Sequence, residues 1–157
     1  MDNLTLVKHA AGAPGLRFFG MGANFWPQKG NSQLQRLFNR NSLWAKGRNS
    51  KDIKTMLSNS AVVITIWRFK QLIGFGRATS DQIYRAILWD IVVDRNFQNL
   101  GLGKTITTSL LKDPMVAKAE RIYLMTTNHE NFYTKIGFRK EINQNLMILN
   151  NKNNLFI

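Results

Sequence analysis

Cysteine is absent from the 157 residues. Disulfides, thiolate metal sites and a cysteine nucleophile are therefore excluded, and a reducing compartment is consistent with the composition. Histidine is scarce: His9 and His129 stand far apart, no His/Asp/Glu group has metal-ligand spacing, and no metal site is expected. Proline occurs three times, and there is neither an internal repeat nor a low-complexity linker. One domain over residues 1–150 with a polar tail at 151–157 is expected. No apolar run approaches the roughly 18 residues that span a bilayer, so no membrane partner is expected. Residues 1–6 lack the basic-then-apolar layout of a secretory leader. Acids are few as well. Nine Asp and Glu face 22 Lys and Arg, for a net charge of +13. Residues 1–70 hold 11 of the 22 cations, with Asp2 and Asp52 as the acids. Such a field draws anions. Nucleic acid, a polyphosphate cofactor and a simple solubilising role all remain open.

What is present is ordinary in amount and informative in order. Hydrophobic residues make up 44% of the chain, enough for a core. Residues 12–31 hold clustered Gly and Pro and read as loop, with one short strand at Leu16–Phe19. Leu34, Leu37, Phe38 and Leu43 recur at helical spacing, so a helix is expected from Ser32, as its cap, to Trp44. A second helix is expected over Ser50–Leu57. Strands are expected at Ala61–Trp67, Leu72–Ala78 and Ile83–Val93, with Gly74 and Gly76 marking a bulge or a close approach. Then follow a helix at Thr105–Leu111, a break or restart at Asp113-Pro114, and a strand at Arg121–Thr126. A short helix at Glu130–Ile136, stopped by Gly137, precedes a last strand at Arg139–Leu149. This order implies an α/β fold, one mixed sheet with helices on both faces.

The densest signal lies where the third strand ends. Trp89-Asp90-Ile91-Val92-Val93-Asp94 runs into a turn ending in Gly101 and Gly103, and a helix follows. Glycines there let the backbone approach a ligand, and free N–H groups at a helix N-terminus suit a phosphate. A P-loop needs Gly where Gln98 stands, and the dinucleotide pattern needs Gly where Ile106 stands. Both fail.

Gln98-Asn99-Leu100-Gly101-Leu102-Gly103 does fit the Q/R-x-x-G-x-G/A signature of the GNAT acetyltransferases. Asn131-Phe132-Tyr133-Thr134-Lys135-Ile136-Gly137-Phe138 looks like that family's second block, in the family's order with a helix and a strand between. The chain thus resembles the GNAT family over roughly residues 60–149. Residues 88–94 are most similar to its small plastid and cyanobacterial members, a group akin to the plant plastid arylalkylamine N-acetyltransferases. The resemblance implies a mostly antiparallel mixed sheet, splayed at the cofactor site. It implies acetyl-CoA as acetyl donor, with the pyrophosphate on the amides of Gln98, Asn99, Leu100, Gly101, Leu102, Gly103 and Lys104. The pantetheine arm would lie along Ile91, Val92 and Val93, and Asn128 would touch the cofactor. Tyr133 takes the family's general-acid position, where a phenol can protonate the leaving thiolate.

The general base is harder to find. A primary amine with pKa about 10.4 is neutral in only about one molecule in 2,500 at pH 7, a deficit of roughly 4.6 kcal/mol. The inward positions Ile87 and Trp89 cannot take a proton. Asp90 points to the other face unless a bulge re-aims it, and it stands as the candidate catalytic carboxylate; a structural carboxylate paired with an arginine is its alternative. His129 and Glu130 are further options. Phe25, Trp26, Trp44 and Trp89 are candidates for an acceptor pocket.

The expected function is N-acetyl transfer to a primary amine by direct attack in a ternary complex. The acceptor is an arylalkylamine, a protein lysine or a protein N-terminus. The alternative is a non-catalytic module of the same fold with a basic nucleic-acid face. The protein would be a monomer or homodimer. It would sit in the chloroplast stroma of a plastid, which the Asn/Lys/Ile-rich composition favours, or in the cytoplasm of a cyanobacterium-like cell.

Overall fold

A computed structural model describes residues 3–151; the expected tail, apart from Asn151, lies outside the described residues. The backbone groups into two compact units, one ending at Met125 and the other beginning at Thr126. The first carries a five-stranded sheet in the order β1-β2-β3-β4-β5. The strands are β1 (Leu4–His9), β2 (Val62–Arg68), β3 (Gln71–Ser80), β4 (Arg85–Val93) and β5 (Arg121–Tyr123). β1 to β4 form an antiparallel meander, and β5 joins β4 in parallel. The mixed, mostly antiparallel sheet expected from the sequence is present.

Helices cover both faces. α1 (Pro14–Phe19), α2 (Gly30–Asn41) and α3 (Ser50–Ser58) precede β2, while α4 (Leu102–Lys112) and α5 (Pro114–Ala117) link β4 to β5. In β3, Phe75 points to one face and meets Phe38 of α2 edge-on at 5.4 Å. Its neighbour Gly76 points to the other. A Cβ on Gly76 would lie 2.4 Å from Ile106 of α4, so glycine lets α4 sit against the sheet. Ile106 and Leu110 are fully buried there, each contributing about 1.5–3 kcal/mol of apolar burial.

Three local expectations are corrected. Leu16–Phe19 is helical, because Pro14 presets the first turn of α1 and Gly20 ends it, with Leu16 buried. α2 starts at Gly30, after Lys29 in a left-handed conformation, and Ser32 does not cap it. Arg139–Leu149 forms no strand. Ile142 and Leu146 through Leu149 are exposed there; strand propensity depends on cross-strand packing and does not by itself decide the state of such a run. Conversely β1, to which no element had been assigned, pairs with β2 from Leu4↔Arg68 to His9↔Val63. α3 is capped by Asn49, one residue before Ser50, whose side chain accepts from the Asp52 amide at 2.8 Å. Asp113 caps α5 through the Met115 amide and pairs with Lys8 of β1.

The second unit holds α6 (Glu130–Thr134), with Gly137 at φ 113 closing the turn after it.

Candidate functional site

Strand β4 changes character along its length. Arg85–Ile87 pair with Arg121–Tyr123 of β5, and beyond Ile87 that edge of β4 has no strand partner among the described residues. Its other edge stays zipped to β3, through Val92↔Phe75 and Val93↔Gly74. Along Ile91, Val92 and Val93 the edge without a strand partner is the kind of surface an extended, amide-bearing arm can pair with, although the Val93 carbonyl already accepts from Gln98 Nε2 at 3.1 Å.

Between Arg77↔Trp89 and Phe75↔Val92, two β4 residues oppose Gly76. This is a bulge, and Asp90 sits in it at φ 53. Its side chain is almost fully buried. Arg77 Nε donates to Oδ2 at 2.8 Å, and Arg48 Nη1 lies 3.1 Å from Oδ1. Burial alone would push this carboxyl up. The Arg48 hydrogen bond and the Arg77 charge and hydrogen bond outweigh burial and hold it below the usual carboxylate range. A carboxylate fixed this way is a poor proton acceptor. The geometry favours the alternative named from the sequence, a structural carboxylate paired with arginine, and here with two. Arg48 lies in the loop between α2 and α3 and stacks over Phe38 at 5.3 Å. Arg77 also reaches Ser60 and lies over Trp89 at 5.7 Å. The cluster thus ties that loop to the middle of the sheet.

The turn after β4 is fastened at several points. Asp94 accepts from the Asn96 amide at 2.9 Å, and Gln98 Nε2 donates to the Val93 carbonyl at 3.1 Å. The Arg95 amide donates to Asn41 of α2 at 2.8 Å. Asn99 and Gly101 both adopt left-handed backbone, at φ 63 and 79. Such conformations turn successive N–H groups toward one side, as in an anion nest. Gly101 is the N-cap of α4, without a side-chain cap and with no acid in the first turn. The first helix bond runs from the Thr105 amide to the Gly101 carbonyl at 3.0 Å. The amides of Gly101, Leu102, Gly103 and Lys104 are left as donors at the positive end of the helix dipole. No atom lies within 4 Å of the point where a Gly101 Cβ would stand. Free donors, a bare dipole and open space fit a pyrophosphate. Leu102 is buried and anchors the cradle, while Gln98, Asn99, Leu100 and Lys104 are exposed.

In the second unit, the Tyr133 ring packs edge-on against Phe132 at 4.9 Å and Phe138 at 6.0 Å. Burial raises its pKa above the ordinary value near 10, so the phenol is neutral at pH 7. Asn128, His129 and Glu130 are exposed at the start of α6. Of the four aromatics suggested for an acceptor pocket, Trp26 lines a large cleft with Phe69. Phe25, Trp44 and Trp89 do not line that cleft, and Trp89 donates to Thr79 at 2.8 Å.

Sequence reasoning missed the two arginines of Asp90. Arg77 was within reach of a register argument, because a β3–β4 hairpin places it across from that part of β4. Arg48 carried no signal, since only the packing of its loop brings it to β4.

A family model described as "Acetyltransferase (GNAT) domain" matches residues 59–140. The chain is 38% identical over 103 residues to a protein described as an uncharacterized N-acetyltransferase ycf52 of the red alga Pyropia yezoensis. The match covers 62% of this chain and 59% of that protein, so the chain spans little more than half of the relative's length. It is also 40% identical over 67 residues to the chloroplastic GCN5-related N-acetyltransferase 1 of Arabidopsis thaliana, covering 42% of this chain and 34% of that protein. Among solved structures, a GNAT-family acetyltransferase of Streptococcus pneumoniae superposes with a TM-score of 0.68 at 18% identity, over 95% of this chain and 98% of that one. At such identity the likeness speaks for the fold alone.

Proposed function

Because the chain belongs to the GNAT acetyltransferase family, we propose that it moves an acetyl group from acetyl-CoA to a primary amine. The observation that carries this reading is the set of free amides from Gly101 to Lys104, placed at the end of the open edge of β4. Acetyl-CoA supplies an activated thioester, whose acetyl group passes to the amine and whose sulfur leaves as thiolate. The chain's residues bind, orient and protonate. The α4 amides hold the pyrophosphate, and the backbone of Ile91, Val92 and Val93 pairs with the pantetheine arm. The Arg48–Asp90–Arg77 cluster holds the bulge in shape and is a positioning element, not the base.

Tyr133 is the proposed proton donor to the thiolate, on the motif it shares with the family. A phenol with pKa above 10 facing a thiolate of pKa about 8.5 would give up its proton uphill by at least roughly 2 kcal/mol. Tyr133 therefore works first as a hydrogen-bond donor to developing sulfur charge; a proton it gives up is made good by the one the amine releases to water on forming the amide. The sequence holds no cysteine, so no acyl-cysteine is formed, and attack occurs in a ternary complex. Asn128 is proposed as a further cofactor contact. We place the protein in a plastid, on the red algal and chloroplastic relatives.

Thiol release from acetyl-CoA, measured over a panel of arylalkylamines, lysine peptides and N-terminal peptides, tests the reading. Release with one class, falling at least ten-fold in kcat for Tyr133→Phe, is expected. No release with any amine, although acetyl-CoA binds, would overturn catalysis and leave a binding module.

A further inference from the structure

A cleft of about 690 Å³ opens between the segment before α2 and the β2–β3 turn. Its walls include Trp26 and Phe69, which are 70% and 61% exposed. Lys29 and Lys70 stand beside them, with the amides of Asn24 and Gln28. Among the described residues, no carboxylate lines it. From residue 3 to residue 80 the sequence contains a single acid, Asp52, which is engaged with Asn49 at the start of α3. A guanidinium flanks one of the aromatics: Arg68 lies over Phe69 at 5.9 Å. The chemistry is two large π-faces held toward water among cationic side chains.

One further observation concerns the same residues. Asn24, Lys29 and Phe69 all hold left-handed backbone, at φ 58, 54 and 53. For side chains with a Cβ this costs roughly 1–2 kcal/mol each, and strain of this kind collects at binding sites.

We propose that this cleft binds single-stranded nucleic acid. Bases stack on Trp26 and Phe69, and backbone phosphates lie on Lys29 and Lys70. Nucleic acid is the one common anionic polymer that offers π-faces and phosphates together. An acidic peptide answers the lysines and leaves the rings unused. A cationic amine acceptor meets two lysines and no carboxylate, so the cleft is not suited to the amine substrate. The inference stands independently of acetyl transfer.

Anisotropy of a fluorescein-labelled 15-nucleotide oligouridylate, titrated with the full chain over a range of KCl, tests it. Trp26→Ala should weaken binding about ten-fold, the size of one lost base stack. Lys29→Gln with Lys70→Gln should lower the slope of log K against log salt by about 1.4, at roughly 0.7 per phosphate. Lys51→Gln with Lys54→Gln, on α3, should change neither by as much. Trp26 is mostly exposed, so its variant is expected to melt like the wild type, and a Phe69→Ala variant gives a second stacking readout. Absence of binding at 50 mM KCl would overturn the proposal. So would a Trp26→Ala variant with unchanged affinity, an α3 pair that weakens binding as much as the cleft pair, or polyglutamate bound equally well with the same dependence on Trp26.

Discussion

The turn before α4 and the cleft beside the β2–β3 turn are both suited to anions, and they are so with opposite materials. The turn uses backbone: amides of Gly101 to Lys104, a helix end without a cap, and left-handed Asn99 and Gly101. The cleft uses side chains: Trp26, Phe69, Lys29 and Lys70, drawn from two separate stretches of sequence. Backbone donors are fixed in direction and suit one compact, highly charged group in one pose. Side-chain lysines and rings are adaptable and suit a repeating polymer. The difference predicts that the two surfaces fail separately and respond differently to mutation and pH.

The largest effect is expected beneath the turn. Replacing Asp90 with Asn keeps a residue that tolerates left-handed backbone and removes the charge between Arg48 and Arg77. Leaving Arg77 buried without its anion should cost roughly 3–5 kcal/mol in urea unfolding. A loss under about 1 kcal/mol would mean that water already screens the cluster. Next is a pH effect on the β1 edge of the sheet. His9 Nε2 lies 2.8 Å from Thr65 Oγ1, which also accepts from Trp67 at 2.8 Å, and burial lowers the His9 pKa to about 4. The unfolded chain takes up this proton near pH 6.5, whereas the folded one resists until about pH 4. Stability from this group is thus complete above pH 6.5 and falls by about 3 kcal/mol as the pH drops to 4. His9→Gln should flatten that slope, and an unchanged slope would refute the burial argument.

Gly101→Val separates the two anion surfaces. A β-branched residue at φ 79 costs about 1–2 kcal/mol and puts methyl groups into the open space of the cradle. Acetyl-CoA affinity by calorimetry should fall at least ten-fold, with oligouridylate affinity unchanged. Parallel loss of both would show one shared site. The smallest expected effect is the reciprocal one. Trp26→Ala should alter acetyl-CoA affinity by no more than about two-fold, as for a surface change outside the cradle.

The two regions also differed in how far the sequence revealed them. The turn could be read because its chemistry is contiguous: an apolar strand, two glycines and a helix make the cradle locally, and the Phe132-Tyr133 block narrowed the choice of ligand. The antiparallel meander was likewise legible from β-branched runs at Ala61–Trp67 and Ile83–Val93. The cleft was not. Trp26 and Phe69 are brought together by the packing of α2 and a hairpin turn, and nothing in their own neighbourhoods predicts it. Arg48 met Asp90 for the same reason. The errors at Leu16–Phe19 and Arg139–Leu149 came from apolar runs without clear period, whose state is set by a terminating residue in one case and by packing that the local sequence does not encode in the other.

The claim that free amides at the start of α4 hold a pyrophosphate is tested most directly by amide NMR of the full chain titrated with coenzyme A and, separately, with pantetheine. Saturable downfield shifts at Gly101, Leu102, Gly103 and Lys104 with coenzyme A, and none of comparable size with pantetheine, are predicted. Coenzyme A binding that leaves these four amides unmoved would contradict it.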